Sequence, residues 1–583
     1  MRLATISGFA TFVLLSQCTL AAAPPIVVVQ DPPVGILSKP DGSFAFYNLR
    51  LPHGPVVRET ISGEEFRLEP VVDIEIPPGN IRGRMVMDAE GELHEVYLQG
   101  RGEGRQIAVD RFIDLWHRRT SGGRARWEEP QRIWDGYCGA LMHFTRLESG
   151  RIIAPFGEWL PGLRSGPPTG PNVVTAVYTD DGGRRWQKSP AQLTSPCYAD
   201  FNGSNYGACE PVVLPLADGR LYMVMRTQTG FLYESWSDDE GTTWEAAAPS
   251  RFPSSTGPPG MLRLPDGRIV LCWNHCEMPP RVEGQGVYGG RDALHAAISE
   301  DEGQTWRGFR EVYRDPLRNQ TPPRDGDRGT AYPALAYDAR GLIVLISGQG
   351  RGRRNLVLIE PEWLTETHAE DDFAGGHDAW HTFKPFGPAS RYWRDRAVGP
   401  VLIDEPTATS GHALHLRRPD DRPADGATWN FPMGRRGELR AHVMFRSGFR
   451  GASIALTDRM FEPTDDQGEA WAQFRCDFDA AARSQDGIEC PLDTWQTLVF
   501  TWDLDQARYT VKCGDEEAEL PLMHPTANGI SYVRFRSTAD EIDDQGFYVD
   551  TVQVDVAGSA GPSVTREEKG VFESQYRQLH GAE

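Results

Sequence analysis

Short runs in which apolar and polar residues alternate recur along the chain, bounded by Gly, Pro, Asn and Asp. Val173 to Tyr178 and Ala293 to Ile298 are two of them. Alternation with period two buries one face of an extended strand. A second set follows further on: Ala413 to Leu416, Leu439 to Phe445, Thr497 to Trp502, Arg508 to Val511, Tyr532 to Arg536 and Phe547 to Val556. The pattern predicts an all-β protein built from many short strands and turns. The abundance of Gly (61), Pro (44) and Trp (16) agrees with it.

The first two-thirds of the chain carries a repeat. Ser237-Asp238-Asp239-Glu240-Gly241-Thr242-Thr243-Trp244 recurs as Ser299-Glu300-Asp301-Glu302-Gly303-Gln304-Thr305-Trp306. A looser copy ends at Trp186, and a degenerate one ends at Trp127 after Gly122-Gly123. The successive tryptophans lie 59, 58 and 62 residues apart. In such a turn an Asp side chain accepts backbone N–H groups, Gly adopts positive φ and Trp fills the gap beneath. A period near 60 with strands and no helices suits four-stranded propeller blades, about six of them between residues ~40 and 368. The two full boxes resemble the Asp box of the sialidase (neuraminidase) superfamily. That resemblance implies a six-bladed β-propeller.

The texture changes near Glu370-Asp371-Asp372-Phe373 and the glycines after it. The expected division is a propeller over 24–369, a β-sandwich over 370–556 and a polar tail over 557–583. The sandwich resembles the concanavalin/laminin-G-like jelly rolls appended to secreted carbohydrate enzymes. Its expected role is that of a structural partner or of a module contacting polysaccharide. Arg2, the apolar run Ile6 to Leu15 and Ala21-Ala22-Ala23 read as a signal peptide over 1–23, so a secreted or periplasmic protein is expected. Cys18 follows Leu15-Ser16-Gln17, a poor fit to a lipid-anchoring site. No later run reaches the ~18 apolar residues of a membrane span.

A net charge of −22 argues against a nucleic-acid binder, which needs a basic face to neutralise phosphates. Export would permit disulfides, and Cys197/Cys209 and Cys476/Cys490 are plausible local bridges. Cys272 and Cys276 bracket a Trp-Asn-His stretch and read as a buried strand and loop rather than a metal site. No metal or cofactor is expected.

Sialic acids carry a carboxylate on the anomeric carbon, and guanidinium groups fit it best. A carboxylate nucleophile would be repelled by that group, whereas a tyrosine is neutral until a neighbouring base takes its proton. The resemblance therefore implies three Arg, a Tyr paired with a Glu, and an Asp. Glu210-Pro211 opens a hairpin that passes Asp218-Gly219 and reaches Arg226. Glu210 resembles the family's base and Arg226 a carboxylate-binding Arg. Arg291, before the strand leading to the third box, resembles another. Ala331-Tyr332-Pro333-Ala334-Leu335 is similar to the family's Ala-Tyr-Ser-x-Leu, whose Tyr is the nucleophile, with Pro333 replacing Ser. The first Arg of the triad is Arg82, with Arg84 as its rival, in Asn80-Ile81-Arg82-Gly83-Arg84-Met85; the family's Pro is missing there. Arg105 would line the site, and Asp110, five residues later, would be the acid/base, with Asp114 as its rival. Lone histidines such as His275 and His295 read as non-catalytic. The implied activity is that of a retaining exo-glycosidase, exo-α-sialidase-like, releasing a terminal sialic or related acidic sugar from a glycan. The alternative is an inactive propeller that binds glycan.

Overall fold

The computed structural model describes residues 22–557 except 31, 33–34, 39–43, 49–55, 61–67, 74–82, 124–125, 163–168, 198–206, 278–286, 288–289, 321–328, 350–352, 386–395 and 507. Arg82, Cys18, residues 1–21 of the expected signal peptide and the tail beyond 557 lie outside the described residues.

Six antiparallel sheets follow one another along the first 359 residues. The first holds Gly35–Ser38, Phe44–Asn48, Val56–Thr60 and Leu68–Asp73. The second runs from Gly83–Met87 through Leu93–Arg101 and Phe112–Ser121 to Gln131–Trp134. The third centres on Ile152–Pro161 and Thr169–Thr179. The fourth comprises Cys209–Pro215, Leu221–Arg226, Phe231–Ser237 and Ala248–Pro253. The fifth comprises Gly260–Arg263, Ile269–Trp273, Ala293–Ser299 and Arg307–Arg314. In the sixth, Ala334–Tyr337, Ile343–Ser347 and Asn355–Ile359 are completed by Ile26–Gln30, with Ile26 opposite Leu358. The leading strand of the first sheet touches those of the second and the sixth, which closes the ring. This is a six-bladed propeller, and its last blade is finished by the start of the chain.

The boxes are the turns between third and fourth strands. Asp239 Oδ1 accepts the Thr243 N–H at 2.7 Å, and Asp301 Oδ1 accepts the Thr305 N–H at 2.8 Å. Gly241 and Gly303 have φ of 86° and 82°. The Trp306 and Trp244 indoles donate to the carbonyls of Gly303 and Gly241, at 2.9 and 3.1 Å. Trp306 is fully buried, whereas Trp244 and Trp186 are half-buried. In the second blade Trp127 packs on the Arg118 guanidinium, 4.2 Å from its ring centre, and Arg118 is bonded to buried Glu95 at 2.5 Å.

Two sheets stack in the second half. The larger orders Val401–Asp404, His412–Arg418, Asp543–Ala557, Arg436–Phe445, Gln496–Asp503, Arg508–Cys513 and Glu516–Pro521. His368–Asp371 also pairs with Asp543–Ala557, so this sheet begins two residues before the boundary read from sequence. The smaller orders Trp380–His381, Gly426–Gly434, Ile530–Ser537, Ala452–Thr457 and Phe474–Phe478. Leu439, Val443, Phe445, Trp429, Ile454 and Phe535 fill the space between them.

Gly426–Gly434 is buried along its whole length. Ala427, Trp429 and Phe431 enter the sandwich core. Asn430 accepts the Glu311 N–H at 2.8 Å and donates to the Phe309 carbonyl at 3.1 Å, and Met433 joins a propeller core with Trp273, Phe252 and Trp306. A short parallel pairing, Cys276–Glu277 with Met460–Phe461, crosses between the halves. Arg459 bonds Glu277 at 2.7 Å across the same seam. His275 lies between the carbonyls of Pro253 (2.9 Å) and Asp458 (2.6 Å), and His295 bonds Tyr532. Tyr532 donates to Glu311 at 2.5 Å, and His381 meets the same carboxylate at 2.8 Å. Burial works against the Glu311 carboxylate, but His381 and Arg314 outweigh it and hold Glu311 well below the usual carboxylate range. His275 and His295 are thus part of the seam.

Candidate active site

Antiparallel blades sort their connections onto two faces. Turns joining first to second and third to fourth strands, the boxes included, lie on one face. The starts of first strands and the links between second and third strands lie on the other. Glu210 is at the start of a first strand; Tyr332 comes just before one; Arg226 ends a second strand; Arg291 precedes a third. Four residues distant in sequence therefore reach the face opposite the boxes.

They meet there. The Tyr332 hydroxyl lies 3.2 Å from Glu210 Oε1. Arg226 donates to Glu210 Oε2 at 2.6 Å. The Arg291 guanidinium carbon is 5.6 Å from the Tyr332 ring centre. Glu210, Arg226 and Arg291 are almost wholly buried, and Tyr332 is half-buried. Both partners of the Tyr–Glu pair hold a left-handed backbone, φ 50° at Glu210 and 67° at Tyr332. Such a conformation costs on the order of 1–3 kcal/mol in a non-glycine residue and persists only where the surroundings impose it. The register shift between Cys209 and Val212 places that kink at Glu210.

Two further residues hold the guanidinium groups. Arg226 Nε donates to Thr256 Oγ1 at 2.8 Å, and Arg291 Nη2 donates to the Thr256 carbonyl at 2.7 Å. One residue thus fixes both arginines. Gln349 accepts from Arg291 Nη1 at 2.7 Å. Asn274 binds the Ala293 carbonyl and Thr330, at 2.9 and 3.0 Å, bracing the segments on either side of Arg291 and Tyr332. The sequence reading missed Thr256, Gln349 and Asn274. Thr256 lies 30 residues from Arg226 and 35 from Arg291, so no local pattern marks it.

The other expected residues are placed differently. Asp110 and Arg105 lie on the link between second and third strands of the second blade, on the face that carries Tyr332, and both are exposed. The link folds back on itself, with Asp110 N donating to the Gln106 carbonyl at 3.1 Å and its own carbonyl accepting from Gly104. Gly104 packs so tightly on the Asp110 side chain that a Cβ there would lie 2.0 Å from the carboxyl carbon. The rival Asp114 is buried and held by Arg101 (2.6 Å) and the Gly136 N–H (3.1 Å). Arg84 gives its guanidinium to the Met142 carbonyl at 2.8 Å. The bonded cluster takes in Tyr332, Glu210, Arg226 and Arg291, and not Arg84, Arg105, Asp110 or Asp114.

A family model described as a BNR repeat-like domain matches residues 85–345. No curated protein matches the sequence. Among solved structures, Trypanosoma rangeli sialidase overlaps 96% of this chain and 95% of its own at 14% identity, with a TM-score of 0.35. A Dyadobacter fermentans protein of unknown function overlaps 58% of this chain and 97% of its own at 14% identity, with a TM-score of 0.39. A further structure titled sialidase covers 91% of this chain and 52% of its own at 13% identity, with a TM-score of 0.26. The segment that is similar to the BNR repeat-like domain runs from the first strand of the second blade to the second strand of the sixth.

Proposed function

We propose that the protein is a retaining exo-glycosidase of the sialidase type, acting on a terminal sugar that bears a carboxylate at or near its anomeric carbon. The observation that carries this reading is the Tyr332–Glu210 pair, 3.2 Å apart and flanked by two buried arginines. A carboxylate substrate brings negative charge into the site. A phenol shielded by Arg291 can approach its anomeric carbon where a carboxylate nucleophile would be repelled.

In the first step the Tyr332 oxygen bonds to the anomeric carbon and its proton passes to Glu210 Oε1. The bond to the leaving oxygen breaks, and Asp110 supplies that oxygen's proton. Asp110 is the acid/base because Asp114 is committed to Arg101, while Asp110 stands exposed on the same face as Tyr332. In the second step water replaces Tyr332 at the carbon and gives a proton to Asp110, and Tyr332 recovers its own from Glu210. Two displacements at one carbon retain its configuration. Arg226 keeps Glu210 oriented; with Arg291 it would hold the substrate carboxylate, Arg82 completing the cradle. We further propose that the protein acts outside the cytoplasm, on the strength of its first 23 residues.

The test is hydrolysis of a fluorogenic aryl sialoside beside aryl uronides, each as the free acid and as its methyl ester. Turnover of the acid alone is expected. Equal recognition of acid and ester sinks the proposal. Binding of acidic glycan without turnover would mark an inactive glycan-binding protein instead.

A further inference from the structure

Three of the cysteines gather at one end of the sandwich. Cys490 and Cys513 are both buried, and their Sγ atoms are 3.2 Å apart. Cys513 closes the strand Arg508–Cys513 at its hairpin turn. Cys490 belongs to the excursion 479–495, which links Phe474–Phe478 to Gln496–Asp503. The two segments are already joined beside the sulfurs, for Glu489 N–H donates to Glu516 Oε2 at 2.5 Å. The Cys490 N–H is itself held by the Ala482 carbonyl at 3.0 Å, which fixes its backbone facing Cys513. Cys476, expected from sequence to pair with Cys490, instead hydrogen-bonds Ser484.

We propose that Cys490 and Cys513 form a disulfide that staples residues 479–495 to the 513–516 turn. The two thiols give up two protons and two electrons to a disulfide oxidant such as oxidised glutathione. One protein thiolate attacks a glutathione sulfur and expels one glutathione; the other protein sulfur then displaces the second, leaving two reduced glutathione molecules. The Cys490 thiol hydrogen-bonds the Cys513 sulfur and holds the Cys513 thiol below its ordinary value, so Cys513 is the attacking thiolate. The excursion has little regular structure of its own, and a cross-link there removes freedom from the unfolded chain.

The sequence makes the test direct. Trypsin cuts after Arg475, Arg483, Arg508, Lys512 and Arg534, so Cys476, Cys490 and Cys513 fall in separate peptides. The full chain is purified without reductant, held with oxidised glutathione, then denatured in an alkylating agent and digested. The expected product joins peptides 484–508 and 513–534, two hydrogens lighter than their sum. Cys476→Ser keeps this link. Reduction before heating lowers Tm by roughly 2–4 °C. Separate alkylated peptides, or a link from Cys490 to Cys476, overturn the proposal. The wild-type map decides even if Cys513→Ser fails to fold.

Discussion

Thr256 shows how much of a site can depend on one residue that positions two others. Its hydroxyl holds Arg226 and its carbonyl holds Arg291, so the spacing of the two guanidinium groups is set at one point. Thr256→Ala keeps the carbonyl contact and deletes the other. Losing a hydrogen bond to a charged group costs ~1.5–3 kcal/mol, or roughly 10- to 150-fold in kcat/KM, expressed mainly as a raised KM; Thr256→Ser restores it. An unchanged KM in Thr256→Ala would show that the arginines keep their places without it. Tyr332→Phe removes the proposed nucleophile and is expected to lower kcat by roughly 1,000-fold or more while the protein stays folded. Near-full activity in that variant would rule out the phenol as nucleophile. Tyr332 and Glu210 were legible in the sequence because each sits beside a recognisable hairpin or five-residue stretch. Thr256 was not, because its importance comes from the closing of the ring. The nine-residue distance to Gly91 favoured Arg82 over Arg84 in the sequence, and the structure gives Arg84 a backbone carbonyl of the neighbouring blade to hold.

Blades repeat a turn whose chemistry is local, and that is why they could be read from the chain. Asp, Gly and Trp at fixed offsets close the same hydrogen bonds in the fourth and fifth blades. Their burial differs. Trp306→Ala empties a fully buried site among Phe252 and Trp273 and should cost ~3–5 kcal/mol. Trp244→Ala, at a half-buried site, should cost clearly less. Chemical denaturation of both variants checks the order, and equal losses would mean that the indole hydrogen bond, common to both, dominates. Neither change should alter the pH profile of activity, because the boxes occupy the face away from Tyr332. The strand Ile26–Gln30 lay beyond sequence reading for the opposite reason: its partner is Asn355–Ile359, and no local pattern reports so distant a pairing.

At the scale of the whole molecule, buried histidines make acid the main threat to stability. His94 and His117 share a short contact, 3.1 Å between ring nitrogens. Burial lowers both, and each neighbouring charge on His117 adds to the effect. His295 in the seam is likewise held well below its ordinary value, by burial and by His275. A group depressed in the folded state contributes stability above its unfolded value, near pH 6.5 for His, and loses it as the pH falls further. Glu311 adds a second loss below the carboxylate range, near pH 4.5. Tm should therefore be level above pH 7 and fall progressively toward pH 5, with propeller and sandwich melting together because Glu311 and Tyr532 lie between them. A Tm that is flat or rises on acidification, or two separate transitions at pH 7, would contradict this. The sixth blade carries a different consequence, one of timing. During synthesis Ile26–Gln30 leaves the ribosome long before Asn355–Ile359 exists. At ~5–20 residues per second the early strand waits roughly 20–60 s with its edge unpaired. For that interval the nascent chain is an open arc, able to pair with whatever strand arrives first, and the cell must shelter that edge until the ring can shut.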